Sequence, residues 1–305
     1  MSQDQKTALD ALLRELPLDL GGDLDVQRPL VEELMRQAPL ADDVTLADRT
    51  LGGIAVVDIG FSGNNPDALI FYLHGGAFAM GSARAGAGLA SELARRAHAR
   101  SVSVDYRLAP EHPFPAGVDD GLAAYRGLLD SGVAPARIAV AGESAGAGLV
   151  VGVLIAAREA GLPQPTAAVL FSPWVDLTLS GATTQTKAAV DPAVTSDGLR
   201  RRAGDYAGAR DPAAGAISPL FADLRGLAPL LIQSGSHEVL LADATRLAAA
   251  AAEADVEVRL EVTPGVPHVF QAFAGILDEA EAALVNAGDF LHAHLEPAAR
   301  PNPAG

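Results

Sequence analysis

The chain has 305 residues, 49% of them apolar, which suits one large α/β domain, or a domain with an appended lid, around a sizeable core. A formal net charge of −16 repels phosphate backbones and anionic lipid headgroups, so neither nucleic acid nor a membrane surface is an expected partner. With no cysteine, disulfides, thiolate catalysis and Cys-ligated zinc are excluded.

The first residues, Met1-Ser2-Gln3-Asp4-Gln5-Lys6, hold no basic stretch leading into an apolar one. No secretory signal is therefore expected, and the cytoplasm is the expected location. No apolar run is long enough to span a bilayer. Leu9, Leu12, Leu13 and Leu16 recur at helical spacing before Pro17, and Leu30, Leu34 and Met35 repeat the pattern after Pro29. Strand-like runs at 44–50 and 54–61, separated by Leu51-Gly52-Gly53, predict a hairpin. Apolar runs then follow at 69–73, 102–104, 138–141, 167–171, 230–233 and 256–262. Helical stretches at 86–99, 117–129, 145–160 and 240–253 lie between most of them. Strands alternating with helices imply parallel pairing through right-handed crossovers, hence a doubly wound sheet. Residues 177 to about 215 break the alternation and are longer than an ordinary connection, so a lid insertion is expected there. The Pro- and Ala-rich tail from Pro297 is expected to be disordered.

Gly142-Glu143-Ser144-Ala145-Gly146 joins the 138–141 strand to the 145–160 helix. A G-x-S-x-G turn in that setting makes a nucleophile elbow, with Ser144 held above the sheet and a helix N-terminus beneath it. The glycines are needed because side chains flanking so tight a turn would strike neighbouring backbone. His74-Gly75-Gly76-Ala77-Phe78 directly follows the 69–73 strand. Acyl transfer passes through an oxyanion that needs preorganised donors, and the N–H groups of Gly75, Gly76 and Ala145 are expected to supply them. A serine needs a base. In α/β-hydrolases the order is Ser, acid, His, with the His after the last strand, which selects His268 from the seven histidines. His292 and His294 fall in the final helical stretch as solvated groups, and His98 and His112 are expected to be structural. For the acid, Glu238 and Asp243 both follow the 230–233 strand. Glu238 sits in the loop at the strand's C-terminal end and is preferred, with Asp243 as the alternative.

In their order and separations, four blocks resemble the bacterial hormone-sensitive-lipase-like carboxylesterases. They are His74-Gly75-Gly76, the run from Tyr106-Arg107-Leu108-Ala109-Pro110-Glu111 to Ala116, the elbow, and the His268 loop. The resemblance implies an α/β-hydrolase fold, a mostly parallel central sheet flanked by helices, with a helical cap. The cap would comprise residues 1–45 and 177–215, the core 46–176 and 216–297, and the disordered tail 298–305. It also implies short-acyl ester hydrolysis without cofactor or metal, a possible homodimer, and a role for His74 in orienting the oxyanion loop. The Tyr106 block then reads as a structural brace in which Arg107 pairs with Glu111. Phe78, Met80 and Trp174 are candidate pocket walls. Lactones, amides or carbamates would use the same machinery, and a non-catalytic ligand-binding protein on this fold is the alternative from a different class.

Overall fold

The computed structural model describes residues 2–36, 40–63 and 66–295. Helices α1 (Ser2–Glu15) and α2 (Leu24–Arg36) lead into the hairpin β1 (Val44–Leu51) and β2 (Ile54–Phe61). The alternating part follows as β3 (Leu69–Leu73), α3 (Ala87–Arg96), β4 (Arg100–Val104), α4 (Ala116–Asp130), β5 (Ile138–Glu143), α5 (Ala145–Glu159) and β6 (Ala168–Phe171). Helices α6 (Thr183–Thr186) and α7 (Ser196–Ala207) precede β7 (Leu230–Gly235), α8 (Leu241–Glu253), β8 (Val258–Thr263) and α9 (Asp278–His294). The tail expected to be disordered, 298–305, lies outside the described residues.

The eight strands form one sheet in the order β1-β2-β4-β3-β5-β6-β7-β8, antiparallel at β1–β2 and β2–β4 and parallel elsewhere. Strands covered on both faces read as continuous apolar runs, which is why 69–73 and 138–141 lack alternation in the sequence. The period of two still decides which face each residue serves. Leu69, Phe71 and Leu73 pack with Leu128 of α4, Val150 of α5 and Leu247 of α8. Ile70 and Tyr72 pack on the opposite face with Leu93 of α3 and Leu284 and Leu291 of α9.

Strand β3 lies between β4 and β5, so the chain leaves it first to one side and then crosses to the other. A reversal of this kind opens a crevice at the C-terminal strand ends. The segments running out of β3, β5, β6, β7 and β8 there carry Gly75, Ser144, Ser172, Glu238 and His268 respectively.

The remaining helices pack around that end. Leu9 and Leu13 of α1 bury against Val266 and Phe270, the residues flanking His268. Helix α2 begins at Leu24, ahead of Pro29 and not after it. Asp23 starts it, its Oδ1 accepting the Asp25 N–H at 2.9 Å and its carbonyl the Gln27 N–H at 2.8 Å. The 177–215 stretch meets the N-terminal segment, with Arg202 Nη2 donating to the Gly22 carbonyl at 2.7 Å. Among the described residues, no helix is long and apolar enough to cross a membrane.

The brace pairs differently from the sequence expectation. Arg107 does not meet Glu111; its guanidinium grips Asp120 on the inner side of α4 at 2.7–3.0 Å. Asp120 is buried and also accepts the Arg107 backbone N–H, so this carboxylate has the stronger need for a cation. Glu111 instead faces α2 and takes Arg28 at 2.6 and 2.8 Å. Arg28 also donates to the carbonyls of Ala79 (2.8 Å) and Ala109 (3.0 Å), fastening α2 to both loops.

Candidate active site

Ser144 occupies the turn between β5 and α5 with φ +55° and ψ −122°, a conformation that few non-glycine residues adopt. Its surroundings hold it there. The Ser144 N–H donates to the Phe171 carbonyl at 2.8 Å, and its own carbonyl accepts from Trp174 N–H at 3.1 Å and Gly148 N–H at 3.2 Å. The flanking glycines answer a steric demand: a Cβ on Gly146 would lie 2.1 Å from the Leu73 carbonyl oxygen, and one on Gly142 2.7 Å from it.

Three side chains from distant parts of the sequence form one chain of hydrogen bonds. His268 Nε2 lies 2.9 Å from Ser144 Oγ, and His268 Nδ1 lies 2.6 Å from Glu238 Oε2. A carboxylate can only accept, so the Nδ1 proton faces Glu238 and Nε2 is left to accept the serine proton. Burial alone would lower the His268 pKa. The hydrogen bond and charge of Glu238, with Asp191 and Glu143 adding to them, outweigh it and raise the imidazole above its ordinary value.

Glu238 is fully buried and its other oxygen is saturated: Oε1 accepts from Gly235 N–H at 2.7 Å, from Ser172 Oγ at 3.2 Å and from Ser234 Oγ. Ser172 in turn accepts the Val269 N–H at 3.0 Å, tying the acid to the histidine loop. No motif marks Ser172, which follows β6 in the tripeptide Ser172-Pro173-Trp174. Asp243 turns elsewhere. Its Oδ2 accepts the N–H groups of Val175 and Asp176, both at 2.9 Å, and Oδ1 lies 3.3 Å from Arg246. Burial pushes its pKa up to about 7.

The 74–78 loop, expected to supply oxyanion donors, departs from that expectation at one N–H. The Gly75 N–H is already spent, donating to Glu143 Oε1 at 2.7 Å, because residue 75 runs out of β3 directly beside the end of β5. The N–H groups of Gly76 and Ala77 have no acceptor among the described residues, and both residues line the cavity with Ser144. Ala145 stands at the first position of α5, where its N–H has no intrahelical acceptor. The available donors are thus Gly76, Ala77 and Ala145, with Gly75 removed and Ala77 gained. Gly76 has φ +110°, and a Cβ there would strike the Met80 carbonyl at 2.1 Å. His74 is buried beside them, its Nδ1 2.7 Å from the Gly75 carbonyl and its ring stacked on Tyr106.

The cavity above Ser144 has a volume of about 240 Å³ and an apolar wall that includes Val31, Leu34 and Met35 of α2 with Met80, Leu89 and Val194. Of the three wall residues expected from sequence, Met80 lies in it. Phe78 and Trp174 do not. They pack into the core beneath, Phe78 stacked on Tyr206 with ring centroids 4.0 Å apart and 5.2 Å from Trp174. Asp191 is buried between this wall and the acid loop, accepting from Ala193 (3.0 Å), Val194 (2.9 Å) and Val239 (2.8 Å) N–H groups. A larger cleft of about 630 Å³, lined by Arg49, Arg100 and Arg137, lies at the N-terminal strand ends and holds none of the groups just described. His98, His112 and His292 are exposed, with the His98 ring edge-on to His292 at 4.9 Å, whereas His294 is half-buried, its ring against Phe290 and its Nδ1 2.8 Å from the Phe290 carbonyl. Among the described residues no cluster of three His, Asp or Glu could hold a metal ion.

A sequence family defined by the α/β hydrolase fold matches residues 70–272. An acetyl-hydrolase of Streptomyces hygroscopicus is 46% identical over 222 residues, covering 73% of this chain and 74% of its own. An esterase of Acinetobacter venetianus is 34% identical over 264 residues, covering 86% and 87%. Among solved structures, an esterase from the bacterial hormone-sensitive lipase family superposes with a TM-score of 0.92 at 41% identity, over 96% of this chain and 99% of that one.

Proposed function

The chain belongs to the α/β-hydrolase family, among the esterases similar to bacterial hormone-sensitive lipases, and on that premise we propose that it is a carboxylesterase that cleaves short-acyl esters through an acyl-enzyme on Ser144. The observation that carries this reading is the unbroken series Ser144–His268–Glu238 at hydrogen-bond distance, opening on an apolar cavity.

In the proposed cycle the ester carbonyl oxygen docks against the N–H groups of Gly76, Ala77 and Ala145. Ser144 Oγ adds to the carbonyl carbon as its proton passes to His268 Nε2. Glu238 keeps the Nδ1 proton in place and offsets the imidazolium charge. The three N–H donors and the α5 terminus stabilise the oxyanion, each donor of this kind contributing about 2.7–4 kcal/mol. Collapse expels the alcohol, which takes the proton from His268. Water then repeats the sequence at the acyl carbon and frees the acid. Every proton moves through one imidazole, so the cycle calls on no cofactor.

The short-acyl preference rests on the cavity. Its 240 Å³ is below the ~300–1,000 Å³ of typical small-molecule sites, and Val31, Leu34 and Met35 of α2 supply part of its apolar wall. A series of p-nitrophenyl esters from acetate to dodecanoate tests this: kcat/KM should be greatest for acetate to butyrate and fall steeply beyond. Ser144→Ala should lower kcat by roughly 10⁵–10⁶-fold. Long esters outrunning acetate would reject the chain-length reading, and anilides outrunning esters would reject the esterase reading.

A further inference from the structure

Glu143 precedes the nucleophile, lines the cavity, and is only 5% exposed, yet no step of the cycle above uses it. A carboxyl buried beside a developing oxyanion is electrostatically unwelcome there, so its retention at this spot calls for a positive reason.

Its contacts supply one. Oε1 accepts the Gly75 N–H at 2.7 Å, and Oε2 accepts from the Tyr72 hydroxyl. The sheet makes this meeting unavoidable. Tyr72 pairs with Ala141 and Leu73 with Gly142, so the chain beyond β3 runs alongside the chain beyond β5. Alternation puts Ala139 and Ala141 on the same face as Tyr72, and Glu143 continues that face. Gly75 and Glu143 pack closely: a Cβ on Gly75 would lie 3.2 Å from both Glu143 Cγ and the Glu143 carbonyl oxygen, tight enough that Glu143 would have to give by a few tenths of an ångström. Both peptide units of Gly75 are held further: the 74–75 unit at the His74 carbonyl, by the Tyr106 hydroxyl at 2.7 Å, and the 75–76 unit at the Gly75 carbonyl, by His74 Nδ1 at 2.7 Å. Gly75 is therefore clamped at both its N–H and its C=O, immediately before the two cavity-lining residues whose N–H groups have no acceptor among the described residues.

We propose that Glu143 is a positioning residue of the oxyanion hole: by taking the Gly75 N–H it fixes the 74–75 peptide plane, the anchor from which the following two units present the Gly76 and Ala77 N–H groups to the substrate oxygen. The inference rests on the reading of Ser144 as nucleophile. Nucleophile and strap are adjacent in sequence, so a displacement of the elbow carries the oxyanion loop with it. Protonation of the carboxyl leaves Oε1 free to accept from Gly75, so the strap is indifferent to the charge of Glu143. A side-chain amide can serve in the same way.

The test compares Glu143→Gln with Glu143→Met, two residues of the same length of which only the first retains an acceptor; Glu143→Ala serves if the thioether does not pack. Each is assayed with p-nitrophenyl acetate and with an alkyl trifluoromethyl ketone. Ser144 Oγ adds to the ketone carbon, its proton passes to His268, and the carbonyl oxygen becomes an oxyanion with nothing leaving. Met and Ala should lower kcat and weaken ketone inhibition in parallel, by about 10²-fold each, with KM held within about twofold. Gln should restore both to within about threefold of wild type. Equal kcat and ketone affinity in Met, Gln and wild type would overturn the inference, as would losses in KM alone. Fluorophosphonate labelling of wild-type Ser144 separates the two levels: no adduct there removes the nucleophile reading itself, while an adduct with unaffected Met kinetics removes only the strap.

Discussion

Glu238 and Asp243 are both buried carboxylates five residues apart, and they do opposite things because of what each oxygen touches. Glu238 presents Oε2 to His268, whereas both oxygens of Asp243 serve the backbone at 175–176 and Arg246. Glu238→Gln should cost kcat on the order of 10²–10⁴-fold, since the amide no longer fixes the tautomer. It should also move the acid limb of kcat/KM. The base must be neutral, so activity falls as pH drops through the His268 pKa, which Glu238 holds above the ordinary imidazole value. With that carboxylate gone, burial dominates and the limb shifts to lower pH. Asp243→Asn should leave kcat within about threefold, because neither oxygen of Asp243 bonds His268, and should flatten part of the stability loss between about pH 4 and 7 that ionising this buried carboxyl incurs. Urea melts and pH–rate profiles of the two variants check both halves. The reverse pattern would exchange their roles.

The elements around the site differ in how far the sequence discloses them. Residues 142–146 are legible because a G-x-S-x-G turn between strand and helix has few other uses, and the same holds for a histidine placed after the last strand. Gly75 was misleading for a physical reason: a free N–H in a glycine pair looks like an oxyanion donor until the neighbouring strand brings an acceptor, here from 68 residues away. Strand parity was the available signal, since alternation along β3 and β5 places Tyr72 and Glu143 on one face. Phe78 and Trp174 were unreadable in kind, because an aromatic in a loop can face a cavity or the core and only packing decides. Arg107 and Glu111 form a spacing that invites a local pair, and tertiary partners on α4 and α2 overrode it. The elbow's dependence on close backbone approach gives a test at this scale. Gly146→Ala places a Cβ 2.1 Å from the Leu73 carbonyl and 2.3 Å from that of His74. Neither is the end of a flexible side chain, so β3 and α5 must separate. A loss of about 3 kcal/mol or more, with activity falling alongside it, is expected in thermal melts. Wild-type stability in that variant would contradict the close approach of β3 to the elbow.

At the scale of the whole molecule, buried titrating groups act on the pH–stability curve in both directions. Burial pushes Glu143 and Asp243 up to about 7, and His268 is raised as well. A group that holds its proton more tightly folded than unfolded contributes stability at low pH and forfeits it as pH rises through the folded value. All three therefore act in the same sense, with the carboxyls costing stability between about pH 4 and 7 and His268 above 6.5. The −16 net charge adds self-repulsion in the same direction. Asp191, raised by burial, adds to them, whereas buried His74, whose pKa burial lowers, opposes them as pH falls below 6.5. Asp176, held low against its burial by Ser180, Thr178 and Arg246, and Glu111, brought down to about 2 by Arg28, oppose them only in acid, and Glu111 is exposed and counts for little. The melting temperature should peak at mildly acidic pH and decline towards pH 8. Glu143→Gln should remove part of that decline, on the order of 1–3 kcal/mol between pH 5 and 8. Parallel curves for the two proteins would mean that Glu143 ionises no less readily when folded.

Turnover by the proposed route requires Ser144 to carry the acyl group. Acid-quenched mass spectrometry during turnover of p-nitrophenyl acetate measures that directly. An acetyl increment on the peptide containing Ser144, absent in Ser144→Ala and persisting longer in Glu238→Gln, is the predicted result. Steady turnover with no acetyl-enzyme on that peptide at any quench time, and undiminished hydrolysis by Ser144→Ala, would contradict it.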